Sequence, residues 1–234
     1  MRVRYASTIL VAGLIFFAGY AALFIAPDER TMHLIQRIFY FHVPSWMAMF
    51  TALSVAFIAN IAYLATHKSK WDSWGVSAVE LGVVCCTIGL ATGPLWAKPV
   101  WGIWWTWDLR LTLTLVLWLI YVSYIVLRRF SSSGQTPLLA AVLAVFGALD
   151  VPLVYFSIWF FRTQHPQPVI GGGGSLDPRM WHALWINWLA FSCFAALVCW
   201  SRYRLEVLRR DLDETLALEA LLEPRSSQAR SSQT

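Results

Sequence analysis

Histidines and tryptophans carry most of the chemistry this chain can offer. Four tryptophans fall within seven residues, in "WGIWWTWDLRLT" (Trp101, Trp104, Trp105 and Trp107), and Asp108 and Arg110 follow directly. His42 ends the aromatic run of "RIFYFHVPSWM", and His165 stands in the polar stretch "RTQHPQPVIGGGGSLDP". A lone loop histidine is ordinarily just solvated. Two of them flanking a loop full of indoles can do more. A large planar macrocycle carrying an iron needs an aromatic face to stack on and imidazoles above and below the metal. Its propionates would then want an arginine, for which Arg110 is placed. Asp108 and Arg110 also have a plainer reading, as a charge pair at the membrane interface closing the next helix.

The elements that must hold these residues are apolar. Of 234 residues, 58% are hydrophobic and only 13% charged, too oily for a soluble domain with a polar surface. Crossing a hydrocarbon core of about 30 Å takes roughly 20 helical residues. Six runs qualify: 8–26, 46–66, 78–97, 111–127, 138–161 and 181–200. Backbone amides in lipid must pair within their own segment, so the expected fold is all-α, with six transmembrane helices. Arg2, Arg4, Lys68, Lys70, Arg128, Arg129, Arg202, Arg204 and the basic residues of the tail fall on one side. Arg30, Arg37, Lys98, Arg110, Arg162 and Arg179 fall on the other. This bias predicts both termini in the cytoplasm and the tryptophan-rich loop outside. The first run is read as a span, not a cleaved signal peptide.

In that topology His33, His42 and His165 lie in outer loops, and His182 begins the sixth span. If the Trp101–Trp107 stretch is helical, Trp101, Trp104 and Trp105 share a face and Trp107 points elsewhere. An interfacial aromatic belt would spread indoles over all the helix ends. Their crowding into one loop, with Trp96 beside them, favours a ligand platform. His33 and His182 read as solvated or helix-end residues, with His182 the alternative should His165 fail.

Other classes drop out. Cys85 and Cys86 are adjacent, and Cys193 and Cys199 are six apart, so there is no C-x-x-C or C-x-x-C-H spacing. The chain is not itself a c-type cytochrome. It lacks the G-x-x-x-x-G-K-[ST] phosphate loop, and Gly171–Gly174 have neither the lysine nor the following helix of one. The formal charge of +5 follows from the cytoplasmic bias and implies no nucleic-acid partner. Residues 1–204 form the membrane domain. The tail, 205–234, reads as a short charged helix with Leu205, Leu208, Leu212 and Leu216 on a face, then a disordered end from 224.

"WGIWWTWDLRLT" resembles the tryptophan-rich WWD motif of the haem-handling proteins of cytochrome c maturation. The length and the six spans are similar to the haem exporter protein C family, and "FHVPSWM" matches that family's first histidine motif at His42. The stretch from "LDVPLVYFSIWF" through His165 to "SLDP" is similar to the region carrying its second histidine, although Pro166 stands where the family has Gln. The resemblance covers nearly the whole chain up to about residue 204. It implies that His42 and His165 are axial ligands of haem b (iron protoporphyrin IX) on the periplasmic face of a bacterial inner membrane. The WWD segment, Trp101, Trp104, Trp105, Trp107, Asp108 and Arg110, would contact the macrocycle. The implied partners are a periplasmic haem chaperone, the ATPase and membrane subunits of an ABC transporter, a small single-span subunit and membrane lipid.

On this reading the chain binds and delivers haem and is not an enzyme. One alternative is a haem lyase acting on apocytochrome c, but the extra spans and large periplasmic domain of such proteins are missing. Another is a b-type electron-transfer subunit, whose histidines would sit deep in the helices, where none of the six runs has one. Two acids remain. Asp150, near the middle of the fifth span, serves either a proton or haem path or a hydrogen bond to carbonyls freed by Pro152. Glu80, near the inner end of the third span, is read as an ordinary interfacial residue.

Overall fold

The computed structural model describes residues 2–131, 133–161, 163–165 and 176–231. Arg162, Pro166 and Gly171–Gly174 lie outside them. The described residues are helical, apart from short connections and one isolated bridge between Glu29 and His33. Helix α1 (Arg2–Tyr20) runs into a π turn (Ala21–Ile25), and a 3-10 turn (Leu34–Ile38) leads into α2 (Phe39–Thr66). Then come α3 (Ser69–Trp101), α4 (Leu109–Phe130), α5 (Thr136–Ala148), α6 (Asp150–Phe160) and α7 (Pro178–Ser231). Six segments are long and apolar enough to span a membrane, α5 and α6 counting together as one. Exposed Ile9, Phe16, Phe24, Phe146 and Phe160 give the bundle an apolar outer surface, as lipid contact requires.

Helices α2 and α3 form the central hairpin. His67, in the left-handed conformation at φ 53°, caps α2 with its N–H on the Tyr63 carbonyl, and α3 starts two residues later. Glycines repeat every seven residues along α3, and each faces a side chain of α2. A Cβ on Gly75 would meet Asn60 Nδ2 at 2.9 Å, one on Gly82 would meet Leu53 Cδ2 at 2.6 Å, and one on Gly89 would meet Trp46 Cε2 at 2.5 Å. Asn60, Leu53 and Trp46 are themselves seven apart, so the two helices run antiparallel in one fixed register. Small residues at such an interface let backbones approach where lipid offers no hydrophobic drive to pack them. Helix α3 also packs against α4, α5 and α7. Interhelical hydrogen bonds join the bundle further: Trp118 Nε1 to Thr87 Oγ1 (2.9 Å), Tyr121 OH to the Ala144 carbonyl (3.0 Å) and Asn187 Nδ2 to the Ala18 carbonyl (3.0 Å).

Four expectations need correction. His42 is not in a loop: α2 begins at Phe39, so His42 lies in its first turns and is 6% exposed. Pro44 lies inside α2, where it offers no N–H to the Tyr40 carbonyl. The fifth span is not one helix. Pro152 has no N–H to offer the Ala148 carbonyl, and the chain breaks at Leu149 between α5 and α6. Asp150 opens α6, buried, with its Oδ2 lacking a hydrogen-bond partner among the described residues, so no hydrogen bond from that oxygen to a freed carbonyl forms. Finally, α7 continues unbroken to Ser231, so the tail is an extension of the last span and is helical past residue 224.

Glu80 is not idle either. At the end of the bundle away from His42, Arg202 of α7 holds it with Nη2 to Oε1 at 3.0 Å and a second contact from Nε. Asp72, fully buried, takes a two-pronged grip from Arg128 of α4 (2.8 and 2.9 Å) and a further bond from Arg210 of α7. Glu206 lies between Arg202 and Arg210 and pairs with both at 3.1 Å. The network ties α3, α4 and α7 together.

Candidate functional site

At the other end, α2, α3, α4 and the loops beyond them enclose a cavity of about 1010 Å³. That is at the upper limit of ordinary small-molecule pockets, roughly 300–1,000 Å³. Its walls include His42, His165, Trp96, Trp101, Trp104, Trp105 and Arg110. The imidazoles of His42 and His165 face one another with ring centroids 6.5 Å apart and planes 29° from parallel. That separation lies within the roughly 4.5–7 Å of offset aromatic pairs.

His42 is held from three sides. Its Nδ1 lies 2.8 Å from Thr92 Oγ1 on α3, its Nε2 accepts the indole N–H of Trp46 at 2.9 Å, and the Trp96 ring meets its edge at 5.8 Å. Gly93 of α3 lies beside the ring, where a Cβ would sit in ordinary contact with His42 Cε1 at 3.6 Å. His165 comes from the segment after α6, where its backbone N–H donates to Thr163 Oγ1 at 3.2 Å.

Helix α3 ends at Trp101, with Gly102 in the left-handed conformation at φ 78° and its N–H on the Lys98 carbonyl. Residues 103–108 are irregular, so the Trp101–Trp107 stretch is not the continuous helix on which a shared face was reckoned. Trp101, Trp104 and Trp105 nevertheless all reach the cavity wall. Trp107 does not; it is 75% exposed and packs edge-on against Trp105. Asp108 is not among the lining residues either. Its carboxylate caps α4 by accepting from Leu111 N–H (3.0 Å) and also accepts from Thr106 Oγ1 and Gln164 N–H (3.1 and 3.3 Å). The last bond fastens the segment carrying His165 to the tryptophan loop.

Trp96 Nε1, Trp105 Nε1 and Arg110 Nη1, on residues that line the cavity, are buried with no hydrogen-bond partner among the described residues. Among the described residues, no group of three or more His, Cys, Asp or Glu could hold a bare metal ion. Two imidazoles suffice only for a metal whose remaining ligands arrive with it. At the mouth, Glu29 accepts from Thr31 Oγ1 (2.6 Å), Met32 N–H (2.6 Å) and Thr31 N–H (2.7 Å). These bonds, the Thr31 hydroxyl foremost, hold its carboxyl below the ordinary 4.5. His33 and His182 are exposed and do not line the cavity.

Sequence reasoning missed Trp46, Thr92, Gly89 and Gly93. The signal was present: His42 and Trp46 stand at i and i+4 of what proves to be one helix, and Gly75, Gly82 and Gly89 keep a seven-residue period.

The profile of the family described as Heme exporter protein C (CcmC) matches residues 2–218. The Heme exporter protein C of Bradyrhizobium diazoefficiens is 32% identical over 200 residues, covering 84% of this chain and 76% of the relative. That of Escherichia coli K12 is 31% identical over 205 residues, 86% of this chain and 80% of the relative. A putative cytochrome c biosynthesis ccmC-like mitochondrial protein of Marchantia polymorpha is 28% identical over 176 residues, 74% of this chain and 75% of the relative. Six apolar spans, a cavity between two facing imidazoles and a match along most of the sequence lead to one conclusion: this multi-pass membrane protein belongs to the haem exporter protein C family.

Proposed function

We propose that the cavity binds haem b on the periplasmic side of the inner membrane and that the chain delivers it to a periplasmic haem chaperone. His42 and His165 are the axial ligands. Trp101, Trp104 and Trp105 form the aromatic wall, Trp107 extends it at the rim, and Arg110 meets a propionate. Asp108 serves the site by fastening the two loops that carry His165 and the indoles. The observation that carries this reading is that His42 and His165, with ring centroids 6.5 Å apart, line one large cavity together with Trp101, Trp104 and Trp105. Arg110 lines the same cavity and supports it, since a guanidinium suits a propionate carboxylate.

The chain acts as a delivery component within an ABC-type complex of ATPase and membrane subunits and a small single-span subunit. It has no phosphate loop with which to drive its own opening. Release therefore depends on a partner that binds the opened or haem-free state better, because only differential affinity shifts such an equilibrium. The visible spectrum of the purified protein tests the ligand assignment. His42→Ala and His165→Ala should each abolish the six-coordinate spectrum or lose the haem, and His33→Ala should leave it alone. Unaltered spectra in both would refute the assignment. Alkaline phosphatase fused after Gly173 should be active and after Gly134 silent; the reverse would place the cavity in the cytoplasm.

A further inference from the structure

Around His42 the hydrogen bonds form a chain whose direction is set at both ends. An indole N–H only donates, so His42 Nε2 must present its lone pair to Trp46. The ring proton of a neutral imidazole then sits on Nδ1 and points to Thr92 Oγ1. Thr92 can accept it because its own hydrogen goes to the Ile88 carbonyl at 2.7 Å, with the Gly89 carbonyl at 3.3 Å. Thr92 thus selects Nε2 as the nitrogen free to bind a metal, and Trp46 covers that same nitrogen.

We propose that Trp46 is a place-holder for the iron: its indole N–H occupies Nε2 of His42 in the haem-free protein, yields it when haem enters and recaptures it when haem leaves. Thr92 is the positioning residue that keeps the Nδ1–H tautomer throughout. The proposal rests on His42 being an axial ligand. The exchange moves one lone pair from an N–H to a metal, and no proton leaves the ring. A bare buried acceptor is unfavourable, so Trp46 lowers the barrier to an empty site and makes tight binding reversible.

Gly89 is built for this contact. A Cβ there would lie 2.5 Å from Trp46 Cε2 and Cζ2 and 3.0 Å from Nε1, so any larger residue must displace the indole. The rings of Trp46 and His42 stand nearly perpendicular, 75° apart at 5.9 Å, which aims the N–H at the imidazole edge.

The test uses the full chain purified in detergent. Ultraviolet resonance Raman of the indole N–H should find, beside the signal of Trp118 bonded to Thr87, a second hydrogen-bonded tryptophan in the haem-free protein, absent in Trp46→Phe and His42→Ala, that becomes weakly bonded on haem addition. Trp46→Phe, which keeps a ring without the N–H, should bind haem about 3- to 10-fold more tightly, the equivalent of one net hydrogen bond. Thr92→Val should raise the haem midpoint potential and shift the iron–imidazole stretch, because the ring loses the acceptor that makes it a stronger base. Thr92→Ser should restore both. An indole signal indifferent to haem, together with unchanged affinity in Trp46→Phe, would overturn the proposal while leaving His42 a ligand. If His42→Ala also leaves the haem spectrum untouched, the ligand assignment itself has failed.

Discussion

The two ends of this bundle handle buried charge differently. Away from the cavity, the fully buried Asp72 is met by Arg128 and Arg210, and Glu206 and Glu80 are each paired with arginines of α7. Around the cavity, Arg110 Nη1 and the indole nitrogens of Trp96 and Trp105 are left open. A charge taken out of water is tolerable only when paired and hydrogen-bonded, so the closed network belongs to the fold. Ser73 Oγ and Tyr124 OH at the charged end also lack hydrogen-bond partners among the described residues, so the contrast lies in the charged groups and not in every polar atom.

This contrast can be broken by mutation, and the largest effect is expected at the charged end. Asp72→Ala strands Arg128, leaves Arg210 with Glu206 alone and should cost about 3–5 kcal/mol of stability, read as a fall in the unfolding midpoint in detergent, with haem affinity per folded molecule unchanged. A midpoint within about 0.5 kcal/mol of wild type, the range of an ordinary surface change, would show that the network holds nothing. Next in size is Trp104→Ala with Trp105→Ala. Loop indoles carry little of the core, so stability should hold while haem is lost more readily, each aromatic contact contributing about 0.5–1.5 kcal/mol beyond its buried area. Unchanged haem content would return these tryptophans to an interfacial belt.

Smaller still is Arg110→Gln, which should weaken haem binding by about 10- to 150-fold, the equivalent of the roughly 1.5–3 kcal/mol of a hydrogen bond to a charged group. Haem dimethyl ester, with no propionate charge, should bind wild type and variant alike; continued discrimination between the two proteins would remove Arg110 from propionate contact. The smallest effect concerns the mouth. Glu29 titrates lower in the folded protein, so its contribution is present above its unfolded value of about 4.5 and disappears as pH falls through the lower folded value. Amide exchange at Thr31 and Met32, corrected for its intrinsic pH dependence, should speed up over that window and stay pH-independent in Glu29→Gln. Equal profiles in the two proteins would dismiss the turn as a pH-sensitive element.

How much of this was legible in the sequence depends on whether the signal was local. Six spans follow from apolar length alone, and the clustering of indoles beside Arg110 needs no three-dimensional information. His42 was identified as a candidate but placed in a loop, because the second apolar run was counted only from residue 46, whereas the helix begins at Phe39. The break at Leu149 was signalled by Pro152, yet the apolar run continues through it and hides it from a hydropathy window. Glu80, Asp72 and Arg202 defeated sequence reasoning for a different reason: their partners lie 122 and 56 residues away, and no spacing rule reaches that far. Trp46 and Thr92 combine both difficulties, one hidden by the misplaced helix start and the other on a neighbouring helix.

The seven-residue register of the central hairpin makes α2 and α3 a ruler whose zero is the turn at His67. Asn60 on Gly75, Leu53 on Gly82, Trp46 on Gly89 and His42 on Gly93 are successive marks, and the last two are the site. Each residue of an α-helix turns about 100°. One residue inserted between the turn and Trp46 would therefore swing His42 away from Thr92, although nothing near the cavity had changed. Paired insertions of seven residues, one in each arm, would keep the marks aligned and only raise the site above the rest of the bundle. The geometry around His42 is thus counted out from the opposite end of the bundle, by chain length as much as by the residues that line the cavity.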